Sequence, residues 1–505
     1  MLWSDNGRMP ASSPSVKRGV VPVFIHPYLP WWLYWPFVAS FLVVMVTLVM
    51  ENRETGDTLA WGFALLALPY VGLVFYFLFG RDWAAITAKQ PWVADHRRAE
   101  QNALTSFFER NAAAGRRVER RFSGSYVDRL RKAIRRESGF AVVTADSAEI
   151  FPTGVRKFDR LKADLARAKR FIHIQYFIWE DDELTDALIE ILRERLVAGV
   201  KVRFLYDYVG CIAWSKKKLN ALVPLGAQVA GDVTDLPKLN YRDHRKIVVI
   251  DGEIGYTGGF NVGQEYIDGG KRFNRWRDTH LRLTGQIVGE LEALFARRWF
   301  EKCKENVLMP EYFPAPSADG GETGILCQLV AQTVEDPWQS SRRAHMIAIG
   351  NAERRVWIQS PYFVPEVGLD DTLMNAALSG VDVRFMMTGV PDKKIPYWAA
   401  WTYFGPLLKA GARIYLYNAG FLHAKTIAVD SKICAIGTMN MDSRSLRLHK
   451  ELMVWLFDER VTNEQERLFE EDMAYCREVT LQDLQSQSFA ERFRNSFMRL
   501  FSYFI

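Results

Sequence analysis

Two short runs in this chain place a histidine two residues ahead of a lysine: HRKIVVID at 244–251 and HAKTIAVD at 423–430. The chemistry-bearing set is His244, Lys246 and Asp251 in the first run, and His423, Lys425 and Asp430 in the second. An asparagine follows each histidine by 17 residues, Asn261 and Asn440, and each half then supplies an acid opening an alternating strand, Asp278 in RWRDTHLRL and Glu451 in HKELMVWLF. With an unperturbed pKa of about 6.5, a neutral imidazole can act as nucleophile and a protonated one as acid. Ammonium and amide groups suit the non-bridging oxygens of a phosphodiester, where charge builds in the transition state. The set therefore suits phosphoryl transfer: one histidine attacks, the other protonates the leaving oxygen, and Lys246, Lys425, Asn261 and Asn440 grip the phosphate. Asp278 and Glu451 are the candidates to fix the ring tautomers. A metal is disfavoured, because lysine is a poor ligand and no carboxylate pair accompanies the histidines. Asp251 and Asp430 complete each catalytic motif, but they have the opposite strand parity and fall in Asp-Gly and Asp-Ser, which read as hairpin turns. Their expected job is to support the motif.

The elements that must carry these groups show the same duplication. RFIHIQYFI answers to RVWIQSPYFV, VAGVKVRFLYD to LSGVDVRFMMT, and HRKIVVIDGEIGYTGGFN to HAKTIAVDSKICAIGTMN, the last at an offset of 179 residues. Two copies of a unit that alternates strands with helices predict an α/β fold of two tandem domains, with mixed sheets flanked by helices and a pseudo-twofold relation. Since each copy carries half of the chemical set, the working site should lie at the seam. FLHAKTIAVD reads as a buried strand, with His423 and Lys425 on one face. His173, His280, His345 and His449 read as packing or surface residues.

At 505 residues, with 49% hydrophobic and 25% charged residues, the chain exceeds one ordinary domain and is not disordered as a whole. Its five cysteines show no CxxC spacing, so neither a disulfide framework nor a zinc site is indicated. The net charge is +6, yet Arg97–Arg136 alone holds twelve basic against four acidic residues. The remainder is slightly acidic, which argues against nucleic acid as a partner. WWLYWPFVASFLVVMVTLVM (31–50) and AWGFALLALPYVGLVFYFLFG (60–80) each run twenty residues or more without a charge, predicting a two-helix transmembrane hairpin. Arg8, Lys17 and Arg18 ahead of it, and the basic cluster behind, predict a multi-pass protein with both flanks cytoplasmic. The expected organisation is a cytoplasmic tail (1–30), the hairpin (31–80), a basic juxtamembrane helical linker suited to anionic lipids (81–149), a first domain (150–315), a linker (316–324) and a second domain (325–505). In its amphipathic C-terminus, Phe493, Phe497, Leu500, Phe501 and Phe504 recur at helical spacing with arginines beside them, as core packing or as an interfacial helix.

The duplicated HxKxxxxD motifs with GGFN and GTMN resemble the phospholipase D superfamily. The paired spans, NYRDHRKIVVIDGEIGYTGGFNVGQEYI, WRDTHLRL, SPYFVPE, GFLHAK and GTMNMDSRSL narrow the resemblance to the bacterial cardiolipin synthases. That resemblance implies tandem phospholipase D-like domains in the bacterial cytoplasmic (inner) membrane, with the catalytic domains on the cytoplasmic side. It implies attack on one phosphatidylglycerol to give a phosphatidyl-histidine and glycerol, then transfer to a second phosphatidylglycerol. By the same analogy His244 is the nucleophile, and no metal, ATP or CTP is needed. A hydrolase, a transferase using another headgroup such as phosphatidylethanolamine, and a non-catalytic lipid-binding protein are the alternatives. Two departures from the family pattern bear on the acceptor: His449 stands where asparagine is common, and Ala331-Gln332-Thr333 replaces a Ser-Gly-Pro-like turn.

Overall fold

The computed structural model describes residues 30–51, 55–68, 70–81, 112–212, 214, 216–232, 240–314, 323–334, 336 and 338–501. Expectations for the tail 1–29, for 82–111 of the basic segment, for 315–322 of the linker and for Phe504 fall outside the described residues. The chain divides into two compact units, Met1–Arg81 and Asp82–Ile505.

In the first unit, helix α1 (Trp31–Met50) has 20 residues, about 30 Å at 1.5 Å per residue, enough to cross a hydrocarbon core. Among the described residues it is the one helix long and apolar enough to do so. The second predicted span is not a single helix. Helix α2 (Thr55–Ala67) ends early, and a short helix Val71–Phe75 and a π-helical turn Tyr76–Gly80 follow. Tyr70 takes φ +61° at the interruption, which falls beside Pro69 in the sequence, a residue with no N–H to continue a helix. Leu48, Trp61, Leu65 and Tyr76 form the small core that joins these pieces.

In the second unit, β-branched and aromatic runs form the strands that sequence alternation predicts. The first repeat contributes β1 (Val143–Phe151), β2 (Phe171–Tyr176), β3 (Lys201–Asp207) and β4 (Gln228–Asp232). The hairpin β5 (Ile247–Ile250) and β6 (Ile254–Gly258) follows, then β7 (His280–Gly285). The second repeat supplies the matching β8 (Ile325–Gln332), β9 (Arg355–Gln359), β10 (Asp382–Thr388) and β11 (Arg413–Tyr417). Its hairpin is β12 (Thr426–Val429) and β13 (Ile433–Gly437), followed by β14 (Glu451–Leu456) and an added edge strand, β15 (Cys476–Val479). The repeats' mixed sheets join edge to edge into one sheet, in the order β15-β11-β10-β9-β12-β13-β14-β8-β1-β7-β6-β5-β2-β3-β4. Its centre is the antiparallel pair β1 and β8, with Thr144 opposite Leu326, and the order reads alike outward from there.

Two helices show how this centre is stabilised. Helix α4 (Ile287–Cys303) buries Leu291, Leu294, Phe295 and Trp299 in a cluster that also holds Leu329, Leu452 and Val454 of the second repeat. Each such buried side chain contributes about 1.5–3 kcal/mol. The end of the predicted linker belongs to this unit as well. Helix α3 (Tyr126–Ser138) packs Tyr126, Val127, Leu130 and Ile134 into the second repeat's core, leaving Arg129, Arg135 and Arg136 exposed, and β1 begins at Val143, ahead of the expected boundary at 150.

The motif aspartates stand at hairpin tips, away from the histidines. Asp251 and Gly252 take φ +57° and +70°, and Asp430 and Ser431 take +55° and +57°, the paired left-handed residues of a tight hairpin turn. Asp251 accepts hydrogen bonds from the N–H groups of Lys169, Arg170 and Phe171 at 2.8, 2.7 and 2.9 Å. Asp430 does the same for Glu353, Arg354 and Arg355 at 3.0, 2.7 and 3.0 Å. Each carboxylate thus ties a hairpin to the start of β2 or β9. These two residues leave the set of reacting groups: they follow β5 and β12, whereas the His-x-Lys residues precede those strands. Asp430→Ala is expected to cost about 3 kcal/mol by leaving buried donors unpaired. Chemical denaturation should register that loss while turnover per folded molecule stays within about tenfold.

Candidate active site

The two His-x-Lys segments lie just ahead of β5 and β12 and are held by the opposite repeat. The His244 N–H donates to the Lys450 carbonyl at 3.0 Å, and the His423 N–H donates to the Arg277 carbonyl at 2.7 Å. Phe421–Leu422 pairs in parallel with Trp276–Arg277. The prediction that His423 and Lys425 sit within a strand is thereby corrected, because residues 423–425 form the link between Phe421–Leu422 and β12. Their backbone is engaged across the seam instead of in a continuous ladder.

The exchange extends to the side chains. His244 Nδ1 lies 3.0 Å from Glu451 Oε1, and His423 Nδ1 lies 2.6 Å from Asp278 Oδ2, so each imidazole meets the acid of the other repeat. A carboxylate at Nδ1 places the ring proton there and leaves Nε2 as the nitrogen that can meet a substrate. Cross-seam ion pairs reinforce the register: Arg277 with Asp472 at 2.8 Å, and Lys450 with Glu301 at 3.4 Å. Arg277 and Lys450 each stand one residue before a histidine-bound acid, so the pattern is reciprocal.

Local sequence fits each acid differently. A Cβ at Gly259 would overlap Asp278 Oδ1, so the shorter acid needs glycine in the facing turn. In the second repeat the longer Glu451 leaves room for Thr438, whose hydroxyl donates to Glu451 Oε2.

Both lysines are buried and fold back on their own motifs. Lys246 Nζ donates to the His244 carbonyl at 2.6 Å, and Lys425 Nζ donates to the His423 carbonyl. Burial lowers Lys246 to about 7 and Lys425 to about 8. Nearby Glu451 and Asp278 oppose that shift at both lysines. Burial also drives His244 well below the ordinary imidazole value, with Lys246, Lys425 and Lys393 adding positive charge. His423 falls to about 4, by burial and then Lys425, against the pull of Asp278. The imidazoles are therefore neutral near pH 7, and the lysines sit close to their midpoints.

Those midpoints set a pH dependence with a definite sign. A phosphate anion needs the protonated lysines, so its affinity is expected to fall about tenfold or more between pH 7 and pH 9. Calorimetric titration with inorganic phosphate checks this, and a Lys246→Gln, Lys425→Gln double variant should lose the dependence. For folding stability the sign is reversed. Above the lowered native values the unfolded chain still binds these protons up to about pH 10.5, so the lysines' contribution to stability rises with pH.

The asparagines occupy matching places, with Asn261 Oδ1 accepting from the Ile178 N–H at 3.3 Å. Asn440 is 6% exposed, and its Oδ1 is buried without a hydrogen-bond partner.

One residue read as packing or surface belongs to the site. The His449 ring lies 5.9 Å from the His244 ring, and His449 Nδ1 lies 3.8 Å from Glu451 Oε1. Arg444 Nε donates to His449 Nε2 at 3.3 Å, so the ring proton faces the acid that holds His244. Trp276 takes the corresponding place two residues before Asp278, 5.4 Å from the His423 ring. The half-sites are thus unequal. The signal was present in the sequence, since position 449 departs from the family pattern. Phe177, edge-on to His244 at 4.8 Å, lies in the repeated segment RFIHIQYFI but carries no reacting group, and Lys393 lies in no motif that would have singled it out. At the other departure, Gln332 donates at 2.8 and 2.9 Å to the carbonyls of Ser445 and Leu446.

Comparison with known proteins agrees with this geometry. The family model described as cardiolipin synthase, PLD-like domain, matches residues 161–299 and 346–473, and one described as phospholipase D-nuclease N-terminal matches 38–81. The cardiolipin synthase of Geobacillus kaustophilus is 36% identical over 470 residues, covering 92% of both chains. The major cardiolipin synthase ClsA of Bacillus subtilis is 34% identical over 475 residues, covering 92% of this chain and 97% of that one. In fold, the crystal structure of phosphatidylserine synthase from Haemophilus influenzae superposes with a TM-score of 0.55 at 12% identity, covering 75% of this chain and all of that one. Duplicated half-sites, reciprocal histidine–acid pairs and similarity over nearly the whole chain lead to one assignment: this chain belongs to the cardiolipin synthase family of membrane-associated, phospholipase D-like enzymes.

Proposed function

We propose that this protein joins two phosphatidylglycerol molecules into cardiolipin and releases glycerol. The observation that carries the reading is the pair of imidazoles, each held at Nδ1 by a carboxylate of the opposite repeat. His244 Nε2 attacks the phosphorus of the first lipid, and the bond to the glycerol oxygen breaks as that oxygen takes a proton from His423. The terminal hydroxyl of the second lipid then returns a proton to His423 and attacks phosphorus, and the P–N bond breaks. One phosphodiester replaces another, so neither ATP nor CTP is required. Lys246 and Lys425, with Asn261 and Asn440, hold the non-bridging oxygens. The bound phosphate also restores proton affinity to His423, whose single 2.6 Å bond to Asp278 suits the acid role. His244, held at greater length and surrounded by more positive charge, suits the nucleophile.

The charge distribution supports a cytoplasmic-side catalytic unit in a bacterial inner membrane, with anionic lipids as surroundings and substrate. The decisive experiment gives purified full-length protein phosphatidylglycerol alone and follows lipid and glycerol. Cardiolipin with equimolar glycerol is expected. Phosphatidic acid as the main product would make the protein a hydrolase, and turnover only after phosphatidylethanolamine is added would make that lipid the donor.

A further inference from the structure

The C-terminal helix is turned inside out for a helix of a soluble domain. Helix α5 (Lys394–Ala410) supports helix α7 (Phe489–Arg499), with α6 (Glu459–Met473) between them in sequence. The face of α7 that meets α5 is polar and cationic: Arg494 lies 4.6 Å over the Trp398 ring, Arg499 lies 4.4 Å over the Tyr403 ring, and Asn495 is buried. The outward face is a ladder of rings, Phe489, Phe493, Phe497 and Phe501, with successive centroids 6.3, 6.1 and 5.5 Å apart. Phe489 is 76% exposed, Phe493 61% and Leu500 73%. The stripe therefore does not pack into the core, which was one of its two predicted roles. A soluble monomer does not ordinarily leave such a contiguous apolar strip on a fixed helix. The helix is fixed, with a reciprocal Ser488–Glu491 capping box at its start and the two cation–ring contacts along its length.

The strip also has a place relative to the chemistry. The contacts Arg494–Trp398 and Arg499–Tyr403 advance together, so α5 and α7 run parallel and Phe489 and Phe493 lie toward the first turn of α5. That end carries exposed Lys393, Lys394 and Ile395. Lys393 acts electrostatically on His244, and its neighbour Asp392 accepts a hydrogen bond from the Tyr362 hydroxyl at 2.7 Å. Exposed rings beside Lys393, Lys394 and Arg492, with Glu491 the sole acid in α7, match the acyl region and phosphates of an anionic bilayer.

We propose that the aromatic ridge of α7 and the first turn of α5 form a membrane-docking foot, which inserts into an anionic phospholipid bilayer and brings the lipid phosphate to the Lys393 side of the site. Phe489, Phe493 and Phe497 enter the acyl region while the lysines and Arg492 contact headgroups. Only the kinetic part of the test rests on the proposed function.

The test uses the full chain in vesicles of phosphatidylglycerol and phosphatidylcholine doped with a phosphatidylcholine bearing an acyl-chain diazirine. After photolysis, lipid adducts are expected on the 489–501 segment, and should decline at least fivefold when phosphatidylglycerol is replaced by phosphatidylcholine. A Phe489→Ser, Phe493→Ser, Phe497→Ser variant should lose these adducts and at least tenfold of its turnover on bilayer lipid. Its turnover of a short-chain, monomerically dissolved phosphodiester should stay within twofold. Absence of adducts in the unaltered protein, unchanged bilayer turnover in the variant, or protein–protein cross-links between ridges of two copies would each overturn the proposal. Failure of the proposed reaction is distinguishable, because it changes the product while the adducts persist.

Discussion

His244→Ala is expected to lower turnover by about 10⁴-fold or more, since the variant lacks the atom that attacks phosphorus in the proposed reaction. His423→Ala should be comparably slow on phosphatidylglycerol, whose glycerol leaves as a poor alkoxide unless protonated. The two variants part company on a phosphodiester with a p-nitrophenyl leaving group, which needs no acid. There His423→Ala should release a stoichiometric burst of nitrophenol and accumulate a phosphoryl adduct on His244, visible by mass spectrometry of acid-quenched peptides. His244→Ala should give neither. A burst from the His244 variant, or an adduct mapped to His423, would reverse the roles.

Asp278→Asn and Glu451→Gln carry the second large expectation. Either amide can donate to Nδ1, which would move the ring proton to Nε2 and present the substrate with the wrong tautomer. A loss of about 10³–10⁴-fold in kcat is expected, the scale seen when a histidine-orienting acid is neutralised elsewhere. Because the reciprocal pairs cross the seam, Glu451→Gln should disable His244, and Asp278→Asn should disable His423. In the nitrophenyl assay only the Glu451 variant should therefore lose its burst. Thermal unfolding should move little for either, the opposite of the pattern expected for Asp430→Ala. Equal bursts from both variants would mean that these acids do not act through the rings they touch.

Much of the fold was legible because its signals are local and were present twice. Short apolar runs rich in β-branched residues such as IVVI and TIAV, the Asp-Gly and Asp-Ser turns, and the matching GGFN and GTMN segments each state their structure within a few residues. The helical hairpin was less legible: composition marks 60–80 as apolar throughout, but cannot show that the helix stops near Pro69 and resumes past a left-handed Tyr70. The packing of the last part of the basic segment was hidden for a related reason. Charge count treats Arg97–Arg136 as one surface, whereas the period of Tyr126, Val127, Leu130 and Ile134 gives α3 a face that belongs in the second repeat's core.

The sequence by itself determined which groups are present and their number: two imidazoles, two lysines, two asparagines and two acids, the lysines and asparagines at the same distance from the motif histidine in both repeats. It also determined that Asp251 and Asp430 belong to turns, because strand parity is a property of spacing alone. Only the tertiary structure decided partnership. Whether Glu451 would orient His423 of its own repeat or His244 of the other depends on a contact that no local period encodes. The edge-to-edge joining of β1 and β8 fixes it, since a pseudo-twofold seam brings each His-x-Lys segment nearest the opposite repeat's acid. The same closure placed His449 beside His244 and Trp276 beside His423, making two halves that are alike in motif unequal in environment.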